Sequence, residues 1–276
     1  MKILYVAELV GKAGIYCFKK IIPDFKKNNG IDFVIAGCDG ATGGNGLGYN
    51  NAMYLRKLGA DVLTMGECCF YKKDLTENFG KINFVLRPAN LRPSAPGFGT
   101  RFYKTKTGDK IAVAVLLGQF GFNRLHSDNP LEWLDKQLER LRAEAKIILI
   151  DFHAHATAEK RILFEAAAGR CSAVIGSHTR VQTADEEILA GRTAVISDAG
   201  RTGSRLSVGG TEIESRIQEF LTGIPHWTKE AWDACELQAL LLDIDADGVA
   251  HSIERVRIPV EDANPSGADA HSQCRN

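Results

Sequence analysis

Short apolar runs rich in Val, Ile and Leu alternate with stretches of helical periodicity through the first third of the chain. The pattern predicts strands at Lys2–Ala7, Asp32–Gly37 and Asp61–Gly66, with helices at about 14–27, 48–58 and 72–78. Runs that are apolar at nearly every position suit strands buried on both faces. The strand–helix–strand rhythm implies parallel strands joined by crossover helices. Further along, Ile82–Val85 reads as a short strand before the Pro-rich loop Arg87–Pro96, and Phe102–Lys106 with Lys110–Leu117 reads as a hairpin around Thr107-Gly108-Asp109. Leu131–Ala145 is a charged amphipathic helix, followed by a strand at Lys146–Asp151, a helix at Lys160–Ala168 and strands at Ser172–Gly176 and Thr193–Ile196. Segment 205–233, with Gly209-Gly210 and Pro225-His226-Trp227, is less regular and reads as a small cap or an excursion from the core. Glu236–Asp243 and Ala250–Arg257 form a closing antiparallel hairpin around Asp245–Gly248. The expected organisation is one α/β domain over residues 1–262 and a polar, disordered tail over 263–276, where His271 and Cys274 are assigned no site.

Composition narrows the partners. The 276 residues are 45% hydrophobic and 25% charged, an ordinary globular balance. Lys+Arg and Asp+Glu both number 34, so net charge gives no reason to expect duplex nucleic acid or an anionic membrane. A small anionic substrate remains compatible, and self-association is left open. No stretch approaches the roughly 20 apolar residues that span a bilayer. The chain enters a strand at once, so no signal peptide is expected. The seven cysteines form no small-domain disulfide framework, which favours free thiols in a reducing cytoplasm.

The candidate chemistry lies where the strands end. Glu8 follows the first run, Cys38-Asp39 the second and Glu67-Cys68-Cys69 the third, while His153 and His178 come just after the strands at Lys146–Asp151 and Ser172–Gly176. In open α/β sheets, ligands gather outside the carboxyl ends of the strands. Carboxylates, imidazoles and thiols from several strands, brought to one sheet edge, predict a polynuclear metal site. Imidazole is the commonest side-chain ligand, acidic groups hold divalent cations, and thiolates favour zinc or iron over magnesium or calcium. The glycine run Asp39–Gly46 matches neither nucleotide-binding fingerprint, but its glycines let backbone N–H groups approach a phosphate. Arg180 and Arg201 are candidate clamps for a phosphoryl group.

Several segments together resemble the bacterial calcineurin-like metallophosphoesterases, in particular the 2′,3′-cyclic-nucleotide 2′-phosphodiesterase family. They are Lys2-Ile3-Leu4 with Val10-Gly11, Thr64-Met65-Gly66, Arg87-Pro88-Ala89-Asn90, Ile150-Asp151-Phe152-His153-Ala154, Gly176-Ser177-His178-Thr179 and Asp198-Ala199-Gly200. The resemblance runs from Met1 to about Pro259. It implies a four-layer α/β/β/α sandwich and a dinuclear centre, often iron, with zinc and manganese as further candidates. It implies metal ligation by Glu8, Cys38, Asp39, Glu67, His153 and His178, with Cys68 in the place of the catalytic histidine. Only His153 and His178 keep the family's usual ligand. Glu8 stands for an Asp, Cys38 for the bridging Glu, Asp39 and Glu67 each for an Asn, His155 for a Glu and Arg180 for the last metal-binding His.

Because nearly every replacement except Arg180 can itself ligate, the pattern favours a retuned metal site over a dead one. A guanidinium cannot ligate, so the half-site of Glu8, Cys38 and Asp39 is expected to be weaker than that of Cys38, Glu67, His153 and His178. The leading expectation is a metal-dependent phosphodiesterase acting on a small phosphorylated or nucleotide substrate. The alternatives are a catalytically degenerate binding or regulatory protein and, behind it, a thiol-based redox sensor using Cys38, Cys68 and Cys69.

Overall fold

The computed structural model describes residues 1–105, 108–261 and 263. In chain order the elements are β1 (Lys2–Val6), β2 (Glu8–Leu9), α1 (Gly11–Asn28), β3 (Phe33–Gly37), α2 (Tyr49–Lys57), β4 (Val62–Thr64), α3 (Lys73–Asn78), β5 (Val85–Leu86), β6 (Thr100–Lys104), β7 (Lys110–Leu117), α4 (Pro130–Glu144) and β8 (Ile147–His153). They continue with α5 (Thr157–Ala167), β9 (Ala173–Ser177), β10 (Glu187–Leu189), β11 (Thr193–Ile196), β12 (Arg201–Ser204), α6 (Ile213–Thr222), β13 (Cys235–Ile244) and β14 (Ala250–Pro259). The fold is mixed α/β with two sheets. The expected tail falls on residues that, apart from 263, lie outside the described ones, as do His271, Cys274 and Thr107 of the first hairpin turn.

Period-two alternation explains how uniformly apolar strands serve two cores. In β1, Ile3 and Tyr5 join a cluster shared by both sheets, while Leu4 and Val6 pack with Phe18 and Ile22 of α1. In β8, Ile147 and Leu149 face the shared cluster, while Ile148, Ile150 and Phe152 pack with Leu134, Leu138 and Phe164 of α4 and α5. Local signals set the helix ends. Asn129 accepts a hydrogen bond from the Leu131 N–H at 2.9 Å and Pro130 opens α4.

The first sheet runs β5-β4-β3-β1 in parallel, and β13 then pairs antiparallel with β1. The second orders β10-β11-β9-β8-β7-β6, with four parallel strands between antiparallel edges. The final hairpin closes the chain as expected, yet β13 lies inside the first sheet, next to β1. Its residues are apolar on both faces: Leu237 and Ala239 join the helix side, Leu240 and Leu242 the shared core. The pattern also missed β2, β10 and β12, which are too short to show a period. Segment 205–233 contains α6, a helix without a buried residue. No helix among the described residues is long and apolar enough to cross a membrane.

Candidate metal centre

The carboxyl ends of β3 and β4 in one sheet adjoin those of β8 and β9 in the other. The predicted residues therefore meet across two sheets rather than along one sheet edge. His153 Nε2 is in direct contact with a carboxylate oxygen of Glu67 and lies 3.7 Å from Asp39 Oδ2. His178 Nδ1 lies 3.1 Å from His153 Nε2 and 3.4 Å from Glu67 Oε1. One donor atom each from Glu67, His153 and His178 falls within a 4.8 Å cluster, and Asp39, Glu67 and Cys68 form a second such cluster sharing Glu67.

Buried partners fix these donors. Tyr5 Oη donates to Asp151 Oδ2 at 2.6 Å, and Ser177 Oγ donates to Asp151 Oδ1 at 2.7 Å. Ser177 has a single proton, so its oxygen accepts from His153 Nδ1 at 3.1 Å. That makes Nδ1 the donor and turns Nε2 toward Glu67, Asp39 and His178, where it offers a lone pair once its own proton is given up. Orienting bonds of this kind are what a metal-ligating histidine needs. Gly66 is required beside it, since a Cβ there would come within 2.3 Å of the His153 ring. Asp39 is positioned by the backbone N–H groups of Gly66 at 2.7 Å and Cys68 at 3.1 Å.

His178 begins a turn with positive φ at His178 (103°) and Arg180 (63°). Such backbone is costly for a side-chain-bearing residue and persists only when its surroundings enforce it. Asp198 enforces it here. Its Oδ2 accepts from the Thr179 N–H at 2.8 Å, from Thr179 Oγ1 at 2.7 Å and from Lys160 Nζ at 3.0 Å. Lys160 and Asp198 are fully buried, so this ion pair is shielded from water.

Charge is unevenly compensated around these groups. Burial works against the charge on Glu67, but His153 and His178 outweigh it and hold that carboxyl well below its ordinary range. Burial likewise opposes a charged His153, yet Glu67, Asp39 and Glu8 push it up to about 10. Burial, then Asp39 and Glu67, raises the Cys68 thiol, so it keeps its proton at neutral pH.

Three predicted residues are placed differently. Glu8 accepts at one oxygen, Oε1, from both Nη2 (2.7 Å) and Nε (3.0 Å) of Arg180, so it is committed to an ion pair. The Cys38 thiol lies in the helix-side core and donates to the Ala36 carbonyl at 3.4 Å. It belongs to neither donor cluster among the described residues. Arg201 donates to the carbonyls of Ser204 and Arg205, beside its own strand. Two further residues lie beside these imidazoles. His155, which the resemblance set in the place of a Glu, has Nδ1 3.3 Å from His178 Nε2, and Phe122 sits against both candidate imidazoles, with ring centroids 6.0 Å from His153 and 5.1 Å from His178. Phe122 was missed, since a loop phenylalanine after β7 carries no signal in the sequence.

The family described as "YmdB-like protein" matches residues 4–256. This chain belongs to that family. It is 34% identical over 262 residues to the 2′,3′-cyclic-nucleotide 2′-phosphodiesterase of Bacillus subtilis, covering 95% of this chain and 98% of that one. Among solved structures, a novel phosphatase from Mycoplasma pneumoniae superposes with a TM-score of 0.88 at 25% identity, covering 96% of this chain and 95% of that one. A hypothetical protein from Thermus thermophilus superposes with a TM-score of 0.86 at 29% identity, covering 94% of this chain and 99% of that one. The resemblance drawn from the strand-end motifs is thus borne out, and membership in the YmdB-like family spans both sheets and every candidate ligand.

Proposed function

We propose that the chain is a metal-dependent phosphodiesterase that hydrolyses small phosphodiesters, 2′,3′-cyclic nucleotides among them. The observation that carries this reading is the convergence of Asp39, Glu67, His153 and His178 in a chain so closely related to a 2′,3′-cyclic-nucleotide 2′-phosphodiesterase. Imidazoles and carboxylates at these spacings suit iron, zinc or manganese. A bound divalent ion supplies hydroxide from water at neutral pH and polarises the phosphoryl oxygens.

The chain's own residues do the rest. Ser177 and Asp151 hold His153 in the ligating tautomer. The Asp198-braced turn presents His178 and, two residues on, Arg180. A cavity of about 800 Å³ opens beside Arg180, lined by Val208 and Gly209 and by Ile217 and Phe220 of α6. Its largely apolar walls, with the guanidinium groups of Arg180 and Arg216 and the carboxylate of Glu219 among them, suit a nucleoside carrying a phosphoryl group, which gives segment 205–233 the role of a small cap over the site. Cys68 stands where the resemblance puts the proton donor for the leaving alkoxide, but a thiol held so firmly protonated is a weak acid for that step. Slow turnover follows. Three separate apolar clusters, one between the sheets and one under each set of helices, support a four-layer α/β/β/α sandwich forming one domain. Six free thiols among the described residues suit a reducing cytoplasm.

The test is hydrolysis of 2′,3′-cyclic AMP by protein stripped of metal and reloaded with Fe²⁺, Mn²⁺ or Zn²⁺, followed by product chromatography. Hydrolysis should return with metal. Protein that takes up metal yet cleaves no phosphodiester would instead be a binding or regulatory member of the family.

A further inference from the structure

The family resemblance implies two metal ions, and the two halves of the centre in this chain offer a metal very different surroundings. On the side of Glu67, His153 and His178, ring nitrogens and carboxylate oxygens face one another, and no lysine or arginine pairs with them among the described residues. On the side of Glu8, one carboxylate oxygen and two backbone carbonyls are already taken up by an internal cation. The guanidinium of Arg180 receives Glu8 Oε1 at Nε and Nη2, the Gly44 carbonyl at Nη2 (3.0 Å) and the Gly209 carbonyl at Nη1 (3.0 Å). Glu8 is buried, and this ion pair is the compensation for its charge.

The fit is close. A Cβ on Gly40 would come within 2.7 Å of Arg180 Nη2 and 2.8 Å of Glu8 Oε1, so the side chains lie directly against the backbone between β3 and α2. The positive φ at Arg180 brings the guanidinium to this place, and the turn is held by the buried Lys160–Asp198 pair. An arginine in an acidic nest of one carboxylate and two carbonyls has the oxygen-rich surroundings of a hard cation. It carries a permanent charge, has no lone pair to offer a metal, and repels a second divalent ion. Cys38, the residue expected to bridge two ions, donates instead to the Ala36 carbonyl in the helix-side core.

We infer that the Arg180 guanidinium stands in for the second cation, so that the protein binds a single divalent ion, held by Glu67, His153 and His178 with Asp39 alongside. This rests on the metal-dependent reading above and adds to it the stoichiometry and the group that replaces the missing ion. Because Arg180 also lines the cavity, the fixed charge is placed to meet a phosphoryl oxygen where a second metal would otherwise do so.

The test uses the full chain, stripped with chelator and titrated with Mn²⁺ alone. Elemental analysis and calorimetry give the stoichiometry, and electron paramagnetic resonance shows whether ions are coupled. Wild-type protein should bind one Mn²⁺ per chain with an uncoupled spectrum. Arg180→His should bind two and show an exchange-coupled pair, whereas Arg180→Lys, which keeps the charge, should stay at one. Two coupled ions in the wild type would overturn the inference and leave the phosphodiesterase reading intact. No bound ion in the wild type would overturn both. A folded Arg180→His that stays at one ion would remove the guanidinium as the reason. Should that variant fail to fold, the wild-type stoichiometry decides alone.

Discussion

The two halves of the centre solve the same electrostatic problem in opposite ways. Around Glu8, a buried carboxylate is neutralised from within by Arg180, 172 residues away in sequence. Around Glu67, acidic oxygens and two imidazole nitrogens crowd together and rely on a proton on His153, or a cation from solution, to coexist. The difference teaches how to distinguish a structural charge cluster from a binding site. A buried carboxylate balanced by the chain's own permanent cation is a finished piece of structure. One balanced only by imidazoles that can give up a proton is open to a metal ion.

The largest expected effect comes from attacking the open half. Glu67→Gln removes the charge shared by both histidines, and metal content and hydrolysis should fall to background in elemental analysis and the cyclic-AMP assay. Full metal retention would move the site elsewhere. Next is the brace common to both halves. Lys160→Met leaves Asp198 buried without its ion pair, and removing one partner of such a pair costs about 3–5 kcal/mol, to be read as lost stability in urea unfolding. Unchanged stability would show that Asp198 is solvated.

Smaller is the gain from rebuilding the finished half. Cys68→His combined with Arg180→His restores an acid suited to neutral pH and a second ligand. A rise in kcat of about 10²-fold is expected, since general acid catalysis contributes roughly 10²–10⁴-fold and residues acting as a unit must be changed together. A double variant that binds metal normally and hydrolyses nothing would favour a binding protein. The smallest effect is Ser177→Ala, which frees His153 from its tautomer-fixing partner. Metal affinity should fall about 10- to 100-fold by calorimetry with the fold intact. An unchanged affinity would mean that packing by Phe122 and Gly66 orients the ring without help.

Much of this arrangement is legible in the order of residues alone. Strand ends stand out because buried parallel strands are unbroken apolar runs, so the first polar residue after each run marks the sheet's edge. That logic located Asp39, Glu67, His153 and His178. It failed at Cys38 because neighbours along a strand point to opposite faces, and the residue beside a ligand is the one turned into the core. It missed the Glu8–Arg180 pair because long-range ion pairing leaves no local pattern. It passed over β2 and β12 because strands of two and four residues show no periodicity. The helix Ile213–Thr222, which has no buried residue, went unread inside the irregular segment 205–233.

The donors that face one another come from both sheets: Glu67 follows β4 in the first, whereas His153 and His178 close β8 and the end of β9 in the second. An ion held by all three is therefore a clasp between layers, made only by the native chain. Thermodynamic linkage then makes occupancy a thermometer of the whole molecule. At a free-ion concentration about 100 times Kd, the folded state gains roughly 2.7 kcal/mol over the unfolded one. Amide exchange in β4 and β8 should slow together as the ion binds, and melting temperature should climb with its concentration even where no substrate is ever cleaved.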